Sequence, residues 1–110
     1  MYKYNAVCTR VIDGDTIDAE VDLGFKVWIK VRIRLSGIDA PETRTRDLTE
    51  KQLGFETKRR LEQILEQVDN KFVLISDKVD KYGRCLGTIY INNENINQKL
   101  LNEGLAEVYK

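Results

Sequence analysis

A small α+β domain, a five-stranded β-barrel carrying two helices in the order β-β-β-α-β-β-α, is what this sequence predicts, on three observations. Residues 4–35 hold three runs in which β-branched or alternating apolar residues dominate, broken at Asp13-Gly14 and at Gly24. One apolar stripe at helical spacing follows, and two further strand-like runs precede a second helical stretch. At 110 residues the chain is expected to be a single domain, 1–110, with room for one core.

The first strand, residues 4–12, is set by its β-branched content and ends in Asp13-Gly14, a strong hairpin signal. The second, Asp15 to Leu23, alternates: Ile17, Ala19 and Val21 share one face, and Thr16, Asp18, Glu20 and Asp22 the other. That parity puts Asp15 on the apolar side. A carboxylate there is costly unless it is solvated, hydrogen-bonded or bound to a cation, so Asp15 is a better site candidate than the other acids of the strand. Gly24 leads into a third strand, Phe25 to Leu35, with six apolar residues at odd positions. Trp28 lies on its other face among lysines and arginines, and is expected to be covered by a helix or loop rather than to stack on bases.

Residues 44–52 are polar and read as a mobile loop; Thr49 with Gln52 resembles a capping box, and Gly54 leaves the helix start open. Thr57, Leu61, Ile64, Leu65 and Val68 then define one amphipathic helix ending near Val68, its opposite face of mixed charge and solvated. Phe72 to Ile75 is a short buried strand, the segment to Arg84 a polar connection, and Cys85 to Ile91 the fifth strand. Asn92-Asn93 turns the chain into a second helix, about Asn95 to Glu103, which Gly104 ends in the left-handed conformation, leaving an extended tail. Three sequential strands, a helix and two more strands is the order of a five-stranded OB-fold barrel capped by a helix.

Composition narrows the function. With 18 basic and 18 acidic residues the net charge is zero, so any polyanion must be bound by a local cluster. There is no histidine, and the two cysteines are far apart, which excludes a Cys/His metal site and leaves Cys8 and Cys85 as buried, reduced thiols. No apolar run approaches the roughly 20 residues of a membrane span, and the N-terminus resembles no signal peptide, so the expected location is the cytoplasm, with no membrane partner.

The most informative stretch is Arg32 to Thr43, R-I-R-L-S-G-I-D-A-P-E-T, where a strand breaks at Gly37 into a loop held by Pro41. It offers Arg34, Asp39 and Glu42 within nine residues. A guanidinium that binds phosphate oxygens beside acids that can hold a metal or activate water suits phosphate ester chemistry. The alternative is an ordinary strand end followed by a helix-entry turn.

Three separated runs, V-I-D-G-D-T (11–16), R-L-S-G-I-D-A-P-E-T (34–43) and D-K-Y-G-R (80–84), together with N-x-x-L-L-x-E-G-L-A (97–106), resemble the staphylococcal nuclease (thermonuclease) family. The resemblance implies an OB-fold barrel and a calcium-dependent nuclease acting on DNA and RNA, in single-stranded form, as a monomer. Position by position, it implies Asp15 and Asp39 as carboxylate ligands of the calcium with the Ala40 carbonyl as a third oxygen, Glu42 as the general base, and Arg34 and Arg84 as the phosphate grip. It puts Asp13 behind the metal and Lys81 and Tyr82 beside bound nucleotide. Magnesium stays open beside calcium. Larger members continue past the position of Lys110 into a further helix with a basic surface, and a phage or mobile-element origin would suit the neutral charge. The competing reading is a non-catalytic OB module that binds nucleic acid or a protein ligand; such modules have usually lost acids or arginines that are all present here. Strand parity by itself sets Asp15 and Arg34 on opposite faces, so a bend, a bulge or a strand end must unite them.

Overall fold

The computed structural model describes residues 2–79 and 83–109. Five long strands, β1 (Tyr2–Asp13), β2 (Thr16–Asp22), β3 (Trp28–Leu35), β5 (Lys71–Val79) and β6 (Cys85–Ile91), run in the order β3-β2-β1-β5-β6. The sheet closes through a parallel pairing of Ile33–Leu35 with Cys85–Gly87, making the five-stranded OB-fold barrel. A two-residue strand β7 (Glu94–Asn95) extends β6, and a separate ribbon pairs β4 (Ile38–Asp39) with β8 (Glu107–Val108). Ile17, Ile33, Leu35, Leu74 and Ile89 fill the interior, and Leu61 and Leu65 of α1 (Leu48–Glu66) and Leu100 of α2 (Ile96–Asn102) complete the same core. Among the described residues no helix is long and apolar enough to cross a membrane.

Four elements differ from the sequence reading. Helix α1 begins inside the stretch expected to be a mobile loop, because Asp47 rather than Thr49 caps it: its carboxylate accepts from the Thr49 and Glu50 amides at 3.0 and 3.2 Å. The fourth long strand extends to Val79, well past Ile75, since its antiparallel pairing with β6 continues to Cys85. Strand β3 starts at Trp28, not Phe25. Phe25 and Lys26 instead occupy left-handed conformations, φ 53° and 65°, at the tip of the β2–β3 hairpin. Trp28 is 49% exposed, against the expectation that it is covered. The tail also gains structure, since β8 needs only the edge of β4 to pair.

Candidate active site

The site forms where the Asp13-Gly14-Asp15 turn meets the loop after β3. Asp15 precedes β2, so it is free of the strand's alternation, and the pairing of Thr16 with Arg34 brings it beside that arginine. The strand end thus resolves the parity conflict. Two register shifts in β1, before Arg10 and before Asp13, interrupt the ladder on the way into that turn. The Asp15 carbonyl accepts from the Leu35 amide at 2.8 Å and locks the two segments together.

Asp15 is only 8% exposed, and its carboxylate is satisfied from two sides: Oδ1 accepts from the Thr16 hydroxyl at 2.9 Å and Oδ2 from the Ala40 amide at 2.8 Å. Arg34 Nη1 donates to the carbonyls of Leu35 and Ile38 at 2.9 and 2.8 Å, which fixes the plane of the guanidinium. Its Nη2 then lies 3.5 Å from Asp15 Oδ2 and 3.4 Å from Asp39 Oδ1. Two carboxylates around one guanidinium leave a net negative charge, on oxygen donors alone, in a setting that suits a hard cation. Among the described residues no three Asp, Glu, Cys or His side chains converge, so such a cation would complete its shell with backbone oxygen and water.

The remaining candidates stand around this centre. Glu42 is exposed, two residues past Ala40 in the loop that Pro41 begins. Asp13 accepts from the Thr43 hydroxyl at 2.7 Å, which ties the far side of the Glu42 loop to the hairpin turn. Arg84 is half-buried directly before β6, whose pairing sets Leu86 opposite Arg34. Lys81 and Tyr82 lie outside the described residues.

Helix α1 holds these pieces from behind, a role that helical spacing alone does not reveal. A Cβ at Gly54 would sit 2.7 Å from both the Pro41 and the Glu42 carbonyl oxygens, so only glycine lets the loop rest on the helix. At Gly14 an added Cβ would collide with the Thr57 side chain. The Thr57 hydroxyl is buried and donates to the Leu105 carbonyl at 2.6 Å. Tyr109 joins the site from the tail: its amide donates to the Gly37 carbonyl at 3.0 Å, and the Arg34 guanidinium sits 5.5 Å from its ring centre. Nothing in the spacing of the tail marks it. Beside Asp39 and Ala40 opens a cleft of about 420 Å³, walled by Pro41, Leu53 and Leu105, with Asp47, Glu50 and Glu107 on its rim and, among the described residues, no basic one.

The signature of the family described as staphylococcal nuclease homologue matches residues 32–110. The chain belongs to that family. It is 37% identical to a thermonuclease of Staphylococcus hyicus over 88% of its length, 32% identical to a micrococcal nuclease of Shigella flexneri over 92%, and 36% identical to protein ParB of Escherichia coli over 92%. It spans 54 to 56% of those relatives' own lengths. Its staphylococcal nuclease barrel therefore carries the family's OB-fold, with the acid and arginine cluster at one mouth.

Proposed function

We propose that this domain is a calcium-dependent nuclease that hydrolyses phosphodiester bonds of DNA and RNA by attack of water on phosphorus. The observation that carries this reading is the convergence of Asp15 and Asp39 on Arg34, with Ala40 bonded to the same Asp15 oxygen. Asp15, Asp39 and the Ala40 carbonyl would hold the cation, which when bound supplies a hard Lewis acid for a phosphate oxygen. Glu42 takes the proton of the attacking water. Arg34 and Arg84 meet the negative charge that grows on the non-bridging oxygens as phosphorus becomes five-coordinate, and so favour the transition state over the substrate. The acidic rim of the neighbouring cleft repels phosphate, which leaves the arginine side as the approach for the chain. These groups address phosphate rather than base or sugar hydroxyl, which supports activity on both nucleic acids, with single-stranded chains as the proposed form.

Cleavage of single-stranded DNA by wild type and by Glu42→Gln, each with calcium and with chelator, tests this. Turnover by wild type in calcium only, with Glu42→Gln slower by about 10²- to 10⁴-fold and nucleotide binding little changed, is the expected result. Wild type that binds nucleic acid and cleaves none of it would make the domain a binding module instead.

A further inference from the structure

Arg34 carries its charge in a nearly closed position, with its side chain only 13% exposed. Both hydrogens of Nη1 are taken by the Leu35 and Ile38 carbonyls, so a phosphate has to be met by the other edge of the guanidinium, through Nη2 or Nε. That edge is the less firmly held one. Its carboxylate neighbours Asp39 and Asp15 stand off at 3.4 and 3.5 Å, longer than the roughly 2.7–2.9 Å of a close charge-assisted bond, and Asp39 is itself exposed. In-plane bonds gathered on one nitrogen orient a flat group, but they resist least a rocking of its far edge out of the plane.

The Tyr109 ring lies across that weak direction. The guanidinium carbon of Arg34 sits over the ring, 5.5 Å from its centre, within the range of a cation–π contact. The ring is delivered by the same ribbon that holds the arginine. Val108 pairs with Ile38 and Glu107 with Asp39, the Tyr109 amide donates to the Gly37 carbonyl at 3.0 Å, and the Ile38 carbonyl takes Nη1. Ring and carbonyl thus reach the guanidinium from the two strands of one unit, the first against its face and the second at its edge. Tyr109 is 62% exposed and stands outside the core, so packing does not account for where its ring lies.

We infer that Tyr109 is a positioning residue for Arg34: its ring, carried by the β4–β8 ribbon, keeps the Nη2 edge of the guanidinium from rocking away from the phosphate. Its benefit to turnover rests on the reading of Arg34 as a phosphate grip. Negative charge on the phosphate oxygens grows towards the transition state, so an edge held on target favours turnover more than it favours ground-state binding. The aromatic face carries this role and the hydroxyl takes no part in it.

Tyr109→Leu removes the aromatic face but keeps an apolar side chain on the ribbon, and Tyr109→Phe restores the face without the hydroxyl. Two measurements on the intact domain test the inference: NMR nitrogen relaxation at Arg34 Nε, which reports how far the guanidinium rocks and needs no substrate, and steady-state cleavage of single-stranded DNA. Tyr109→Leu should lower the order parameter of Arg34 Nε and reduce kcat about two- to fivefold, the scale of an exposed cation–π contact, with KM little changed. Tyr109→Phe should return both to near their wild-type values. An Arg34 as rigid in Tyr109→Leu as in wild type would overturn the inference. So would a KM that rises at constant kcat, which means that the ring meets the nucleotide itself, or a Tyr109→Phe as slow as Tyr109→Leu, which assigns the effect to the hydroxyl. Faster hydrogen exchange of the residue 109 amide in Tyr109→Leu alone would also overturn it, since the ring would then serve the ribbon and not Arg34. Wild type that cleaves nothing would sink the nuclease reading instead, and the relaxation of Arg34 would still decide whether the ring holds the guanidinium.

Discussion

The two ends of the β2–β3 hairpin invert the usual rule of burial. At one end Asp15 and Arg34, both charged, are among the better-buried polar groups; at the other Phe25, Val27 and Trp28 stand in water. The same ladder connects them, with Thr16 opposite Arg34 at the site and Asp22 opposite Trp28 near the tip. The difference lies in what each end is given in compensation. The charged end has a backbone amide, a hydroxyl, two carbonyls and opposite charge within reach, so desolvation is offset group by group. The apolar end has two backbone bonds across its turn, Leu23 amide to Val27 carbonyl and Val27 amide to Gly24 carbonyl, both 2.9 Å, and nothing that removes its side chains from water.

Asp15→Ala should therefore be the most damaging change to stability. It strips the Ala40 amide of its acceptor and Arg34 of one counter-charge, at a cost of about 2–3 kcal/mol, read as a lower urea midpoint at unchanged slope. A loss near zero would mean that solvent already compensates this end, and the contrast with the tip would collapse. Arg34→Lys keeps the charge but loses the fork that sets Nη1 on the Leu35 and Ile38 carbonyls and Nη2 beside the two carboxylates, and should lower turnover roughly tenfold or more in a cleavage assay. Equal turnover would leave the guanidinium a structural group only.

At the tip the sign reverses. Phe25→Asn replaces a fully exposed aromatic in a left-handed conformation by a residue that tolerates it, and should raise stability by about 0.5–1 kcal/mol in thermal unfolding. Destabilisation instead would show that Phe25 has a contact that its exposure conceals.

The smallest effect is expected away from both ends, at the pair joining α1 to the end of α2. Arg60 bonds Glu103 at 2.7 and 2.9 Å and holds its carboxyl below the usual glutamate range. A lowered carboxyl pKa stabilises the fold above the ordinary value and the benefit disappears as pH falls through the lowered one. Glu103→Gln should thus cost a few tenths of a kcal/mol at neutral pH and nothing in acid, as measured by urea unfolding at the two pH values.

Much of this architecture is legible in the residues themselves. Period-two runs located the strands, Asp15 stood out as the acid on the wrong face, and Asn95 and Gly104 bounded the second helix, where Asn95 Oδ1 caps Gln98 at 3.0 Å and Gly104 has φ 72°. What stayed hidden depends on tertiary partners. Alternation carried the third strand through Phe25 because apolar spacing cannot tell a strand from the turn that feeds it. Asp47 does not stand out as the cap in the sequence because a cap is defined by the amides it meets, and a second plausible pair, Thr49 and Gln52, lies nearby. Tyr109, Thr43 and Thr57 act on the site through contacts between 30 and 75 residues apart in the chain, which no local pattern encodes. Cys8 shows the reverse: a buried thiol was expected, and burial does push it up to about 11.

Gly54 has one more implication, for heat. The Glu42 loop leans on the second turn of α1, and glycine is a poor helix former there, weaker than alanine by about 1 kcal/mol. Helix ends fray before a protein melts. A fray that reaches Gly54 would take away the floor beneath Glu42 while the barrel stays closed, so the domain would lose its proposed general base several degrees before it loses its fold. Warming would then silence the chemistry reversibly, with the far-ultraviolet signature of the barrel still in place.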